Sequence, residues 1–497
     1  MPTILLKTCL SFYLAISSSA NQASAINTQI HNGQIIAGTD INLSLDNLQN
    51  AGLLEAGQSI SLQALNDITN QGGTLQAGQS LSLLANNNIN NISGNIQAQD
   101  ISLNAVNGNI NIKRFEQDVD YSTMGGIDTK KIIGNQSNIQ ASNNLSLAAN
   151  NAVNIQGSNI QAGEALNIQA NTLGINTTQQ NTNFFGGDRK NYVKERSTSH
   201  LNSKLNANDI NINTISLTNV TGSNLSAANQ LNIQASGIDI KAVNNATYRE
   251  TKSSSKGFMS KSVKINKKAT STNLAANLSA GNINLTTSKD NLNLQGSNLS
   301  AEGQLNLNAA KDLNIQAGYD GSLDESFSKK SRFSLGALIT GGTLYSASED
   351  LEGKIKKTAV NSTLTGNNIN LQAGNDLKAV GVDITAQDSI TGSGHNITIQ
   401  NAVNEQTTYS KHNKMNVSLG DAIKDLVSNL KSPTGGDKDG KFSITLAQAT
   451  IDKQTKRTTK TTVQASNINA DAGNIKLTAT DVDANKPNVE IKGVSIT

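Results

Sequence analysis

The 497-residue sequence has a single cysteine, three prolines, no tryptophan and only 3 % aromatic residues. One thiol, Cys9, excludes an internal disulfide and any metal site built from several cysteines. So few aromatics are thin material for the several compact cores that this length would otherwise hold. Pro2, Pro433 and Pro487 leave residues 3–432 free of the residue that breaks a strand ladder. Charge is scarce as well: 15 % of residues are charged and the net is +3, so no whole-chain footprint for nucleic acid is present. Beyond Ala25 no apolar run approaches the length of a transmembrane helix.

What is present is Asn, Ser, Gln, Thr and Gly around aliphatic residues at fixed spacing, which separates the chain from disordered sequences of similar polarity. The segment GSNLSAEGQLNLNAAKDLNIQAG (296–318) carries Leu299, Leu305, Leu307, Leu313 and Ile315. Ile139, Leu145 and Leu147 recur about 21 residues later as Ile160, Leu166 and Ile168. The same offset carries Leu278 to Leu299, Leu292 to Leu313 and Leu294 to Ile315. A period near 20 signals a solenoid, and each period holds three short alternating pieces separated by Gly, Asn or Ala.

Three strands and three corners per turn predict a triangular parallel β-helix. Each strand would lie about 4.8 Å from its copy, with aliphatic ladders inside and Asn, Ser and Gln facing water. One coil buries too little to fold alone, so neighbouring coils must supply its backbone partners.

The rhythm fails at residues 113–133, 176–204, 244–271, 319–360 and 403–464. It holds over 26–112, 134–175, 205–243, 272–318, 361–402 and 465–497, enough for about 14 coils. Every aromatic beyond Ala25 falls in an interruption. The interruptions read as extended β-hairpins lying on the rod or projecting from it. The third is basic, with Lys252, Lys256, Lys261, Lys264, Lys267 and Lys268, which are candidate contacts to anionic glycans or lipid headgroups if they are more than a solvated face. The fourth contains apolar FSLGALITGGTLY (333–345), expected to be a hairpin packed on the coil. In the fifth, Ala422, Ile423, Leu426, Val427 and Leu430 fall on one face of a predicted short helix ahead of Pro433. The segment from Met1 to Ala25 reads as a secretory signal peptide, with Lys7, an apolar run over 10–16 and Ala23-Ser24-Ala25 as a cleavage site.

Coils of the NLSAEGQLNLNA type alternating with charged inserts of the YRETKSSSKG type resemble the haemagglutinin-repeat region of the filamentous haemagglutinin family. That family includes the large effector proteins of contact-dependent growth inhibition. The resemblance runs from about residue 27 to the end. It implies a right-handed β-helix filament and export by an outer-membrane two-partner-secretion transporter. It also implies adhesion to a host or neighbouring-cell receptor or glycan, or carriage of a C-terminal toxin, with the chain secreted or at the cell surface. The family's N-terminal secretion domain, with its Asn-Pro-Asn type motif, and a toxin domain are not recognisable, so the expectation is a piece of a longer exoprotein.

Catalytic and cofactor chemistry find little support. His31, His200, His395 and His412 lack metal-ligand spacing, and Ser199-His200 has no accompanying acid. Asp46 and Asp67 are the only coil carboxylates that recur at the repeat offset, too few for a polysaccharide-cleaving groove. The acidic stretch Glu349, Asp350 and Glu352 reads as a solvated part of an insert. Calcium-binding nonapeptides and phosphate-binding loops do not occur. The expectation is a non-enzymatic rod without cofactor or metal, whose inserts carry its contacts.

Overall fold

The computed structural model describes residues 4–5, 27–123, 126–257, 260–333, 345–412, 455–480 and 489–497. Among them are strands, turns and bends but no helix, and the strands form two sheets of 34 and ten strands. The larger sheet is a parallel β-helix. A single coil consists of Asn298–Ala301, Gln304–Ala309 and Leu313–Gln316. It pairs in parallel with Asn277–Ala280, Asn282–Thr287 and Leu292–Gln295 on one side. On the other side it pairs with residues of Ser362–Ala373 and Leu377–Val380.

Period-two alternation makes this possible: in QLNLNA the inward Leu305 and Leu307 are fully buried while Gln304 and Asn308 are exposed. Register then stacks like on like. Ile139 faces Ile160, Leu145 faces Leu166 and Leu147 faces Ile168 on adjacent coils. Leu278 faces Leu299, Leu292 faces Leu313 and Leu294 faces Ile315. All belong to one continuous apolar cluster that runs from Ile35 to Ile468.

Not every polar residue faces water, contrary to the sequence-based expectation. At one corner Asn50, Asn70 and Asn91 are buried, and each side-chain amide donates to the next coil along a ladder: Asn50 to Asn70 at 2.8 Å, Asn70 to Asn91 at 2.8 Å and Asn91 to the Ser137 hydroxyl at 2.7 Å. Further along the rod, buried serines cap corner carbonyls at the same place; Ser158 donates to Ile112 O, Ser203 to Asn176 O and Ser362 to Gln316 O. A tight corner leaves backbone carbonyls out of reach of water, and small polar side chains satisfy them.

This corner also launches the inserts. Five antiparallel hairpins leave it: Glu116–Thr123 with Gly126–Ile133, Thr178–Gly187 with Tyr192–Leu201, Val243–Lys256 with Ser260–Leu274, Gly318–Phe333 with Tyr345–Val360, and Ala402–His412 with Thr455–Gln464. They are called hairpins 1 to 5, each with an outgoing and a returning strand. They do not project singly. Each returning strand pairs with the next outgoing strand, so all ten strands make one antiparallel sheet.

The reason is dimensional. Between successive hairpins the coil passes this corner once without an insert, as at Gly157, Gly222, Gly296 and Gly381. Two coils rise about 9.6 Å, the width of two paired strands, so hairpins at every second coil meet edge to edge.

The helix expected at 422–430, the apolar turn 334–344 and nearly all of the signal-like segment 1–25 lie outside the described residues. Within that segment Ile4 and Leu5 are placed, in antiparallel register with Ala37 and Ile36.

Candidate functional site: the hairpin sheet

The rod interior is aliphatic apart from its Asn and Ser corner, and the buried charged side chains among the described residues, Lys267, Glu325 and Lys411, lie on the ten-stranded sheet. Its two faces differ. On one, Lys267, Glu325, Leu323, Leu351, Ile355, Thr407 and Lys411 are buried; on the other, Lys268, Asp324, Glu352, Lys354 and Thr408 are exposed.

A single row of opposed residues crosses the buried face from hairpin 2 to hairpin 5: Lys194, Glu250, Lys267, Glu325, Gly353, Tyr409 and Arg457. Charges alternate along its first four members. The Lys267 ammonium lies 3.1 Å from Glu325, whose other oxygen accepts from the Tyr409 hydroxyl at 2.5 Å. Glu250 accepts from Tyr192 at 2.5 Å and from Tyr248. Burial works against the ionised form of Glu250, but the two phenols with Lys267 and Lys194 outweigh it and hold its pKa below the usual carboxylate value. Burial, with the Glu250 carboxylate beside it, pushes the Tyr192 phenol up to about 12, and burial beside a carboxylate raises Tyr248 and Tyr409 as well. These phenols therefore stay neutral donors.

Of the six lysines in the third interruption, Lys267 is buried in this row, which corrects its assignment as a surface contact; it is a structural partner of Glu325. Lys252 donates to Arg189 O at 3.0 Å and lies 5.5 Å from the centre of the Tyr192 ring. Lys268 is exposed, 3.9 Å from Asp324. Lys256, Lys261 and Lys264 are exposed in the outer half of hairpin 3, with Lys256 directly opposite Lys261. Exposed Lys329 and Lys330 of hairpin 4 lie opposite Val263 and Ser262, so the lysines of two hairpins share one outer zone. Lys329 pairs with Glu349.

The other singled-out residues are dispersed. His200 contacts Asn245 at 3.2 Å, and burial lowers its pKa; His412 contacts Asp350 at 2.9 Å; His395 is exposed on a rod corner. Asp67 accepts from the backbone and side-chain amides of Asn88 at 2.9 and 3.0 Å, and its own N–H donates to the Asn47 side chain at 3.2 Å, so the register stacks Asp67 on Asn47 and not on Asp46. Tyr192, Tyr248, Glu250, Glu325 and Tyr409 were not identified from sequence. The signal that would have found them is the regular placement of inserts at alternate coils, which forces their strands into one register.

The family model described as "Hemagglutinin repeat" matches residues 184–282, 259–350 and 339–497. The chain is similar to the tRNA nuclease CdiA-2 of Burkholderia pseudomallei (strain 1026b), 29 % identical over 234 residues, 44 % of this chain and 7 % of that protein. It is also similar to a tRNA nuclease CdiA of Burkholderia pseudomallei, 27 % identical over 179 residues, 33 % of this chain and 14 % of the relative. The chain thus spans a small fraction of the length of the curated relatives it matches, and no solved structure matches. With the family model covering more than half of its length, and with a coil built from the repeat itself, the chain belongs to the hemagglutinin-repeat family.

Proposed function

We propose that the chain is a filament segment of a secreted or surface-exposed bacterial adhesin, and that the outer zone of hairpins 3 and 4 touches an anionic receptor or glycan on a host or neighbouring cell. The observation that supports this is the direct opposition of Lys256 and Lys261, exposed and joined by Lys264, Lys329 and Lys330. Like charges opposed across a strand pair destabilise it, and an anionic partner offsets that repulsion. On this reading the longer protein reaches the surface through an outer-membrane two-partner-secretion transporter, and the rod holds the sheet away from the cell. Purified chain should bind target cells, and K256E/K261E/K264E should abolish binding while leaving the circular dichroism spectrum unchanged. Undiminished binding by that variant would remove the outer zone from the mechanism.

A second reading is favoured by the names of the relatives. In it, the segment is part of the stalk of a contact-dependent growth inhibition protein that carries a toxin elsewhere in its sequence. Sequencing of the gene beyond this segment separates the two, because delivery requires a toxin-coding region followed by an immunity gene.

A further inference from the structure

Four seams join the five hairpins, and at three of them a cation on the returning strand lies directly opposite a carboxylate on the next outgoing strand. The pairs are Lys194 with Glu250, Lys267 with Glu325 alongside Lys268 with Asp324, and Lys357 with Glu405; Glu195 opposite Arg249 at 3.3 Å and Asp350 opposite His412 at 2.9 Å run the other way. The returning strand of hairpin 5 continues the pattern and, among the described residues, has no partner on its outer side. Thr455–Gln464 reads TKRTTKTTVQ, is exposed on both faces from 456 to 463, and pairs among the described residues only with Ala402–His412. Arg457 ends the row that holds Lys267 and Glu325, beyond the neutral Gly353 and Tyr409, and Lys456 and Lys460 flank it.

We propose that this edge is a docking site for an extended acidic segment, which adds to the sheet as an antiparallel strand and places a carboxylate opposite Arg457. Main-chain hydrogen bonds of the free edge would give affinity, and the charge pattern would select the segment. The chemistry of the partner is set by what the chain itself uses at equivalent seams, an outgoing strand such as GYDGSLDESF (318–327), in which Asp324 and Glu325 meet Lys268 and Lys267. A second copy meeting edge to edge through the same strand would oppose cation to cation, which disfavours self-pairing. The proposal is independent of the cell-contact reading, which concerns the outer zone of hairpins 3 and 4.

The test uses the full chain and a fluorescent synthetic peptide GYDGSLDESF followed by anisotropy. Binding is expected, weakening with salt, and R457E should weaken it by about tenfold or more with unchanged circular dichroism. A peptide with Asp and Glu replaced by Lys should bind R457E in preference to the parent. Two peptides N-methylated at alternate residues, in the two possible sets, separate strand addition from loose ion pairing, since only one set should lose binding. Absence of binding, equal binding by both N-methylated peptides, or indifference to R457E would overturn the proposal. Self-association abolished by K456E/R457E/K460E, without peptide binding, would assign the edge to a second copy and overturn it equally.

Discussion

The hydroxyl of Tyr409, on hairpin 5, reaches across the strand between them to donate to the carboxylate of Glu325, on hairpin 4, at 2.5 Å. The residue it crosses is Gly353, where a Cβ would overlap the tyrosine ring. Glycine within a strand weakens it unless something needs the space, and here an aromatic ring fills it. The contact ties hairpins 4 and 5, as Lys267 with Glu325 ties 3 and 4, and Tyr192 with Glu250 ties 2 and 3.

Removing Glu325 should therefore damage the sheet and spare the rod. Glu325→Ala leaves the buried Lys267 ammonium without its carboxylate, a loss of about 3–5 kcal/mol, and Glu325→Gln should cost less because the amide still accepts from Lys267. Hydrogen exchange should show lost protection in hairpins 3 to 5 and unchanged protection in coils such as residues 74–112. Equal loss in both regions would mean that sheet and rod unfold as one unit.

The same row gives the sheet a bounded pH range. Glu250 has a folded-state pKa below its unfolded value of about 4.5, so its contribution is present above that value and is lost as pH falls through the folded pKa. Tyr192 is raised to about 12 from about 10, so its contribution holds below pH of about 10 and disappears as pH rises through 12. The near-ultraviolet tyrosine signal should be level between these limits and decay at both ends. Tyr192→Phe should remove part of the alkaline loss and, by taking a hydrogen bond from Glu250, reduce the acid loss. An unaltered profile would show that the row does not control the sheet.

Gly381 is required twice. Its φ of +66° lies in the left-handed region, and a Cβ would sit 2.5 Å from that of Ala402, the first residue of hairpin 5. Gly381→Ala should cost about 1–2 kcal/mol from conformation alone, with the clash in addition. Thermal melting should drop by several degrees, and Gly38→Ala, where a Cβ meets nothing within 4 Å, should have little effect. Equal effects at the two positions would refute the clearance argument.

Leu299, Leu305, Leu307, Leu313 and Ile315 were legible as ladder residues because a side-chain period of two and a coil period near 21 leave a single way to bury every aliphatic residue. The buried Asn50, Asn70 and Asn91 were not legible. An asparagine inside a corner and one outside it look alike in sequence, and only the location of unsatisfied carbonyls separates them. Lys267 was misread for a related reason: it sits among lysines that are exposed, and its burial depends on Glu325, which belongs to another hairpin.

By itself, the sequence determined the coil. Its repeat is local, each strand pairs with a copy one turn away, and identical residues meet whatever else the chain does. Only the tertiary structure decided that five inserts of unequal length are one sheet. That outcome depends on where each insert leaves the rod and on the match between the rise of two coils and the width of a hairpin, quantities that exist only once the coil has formed.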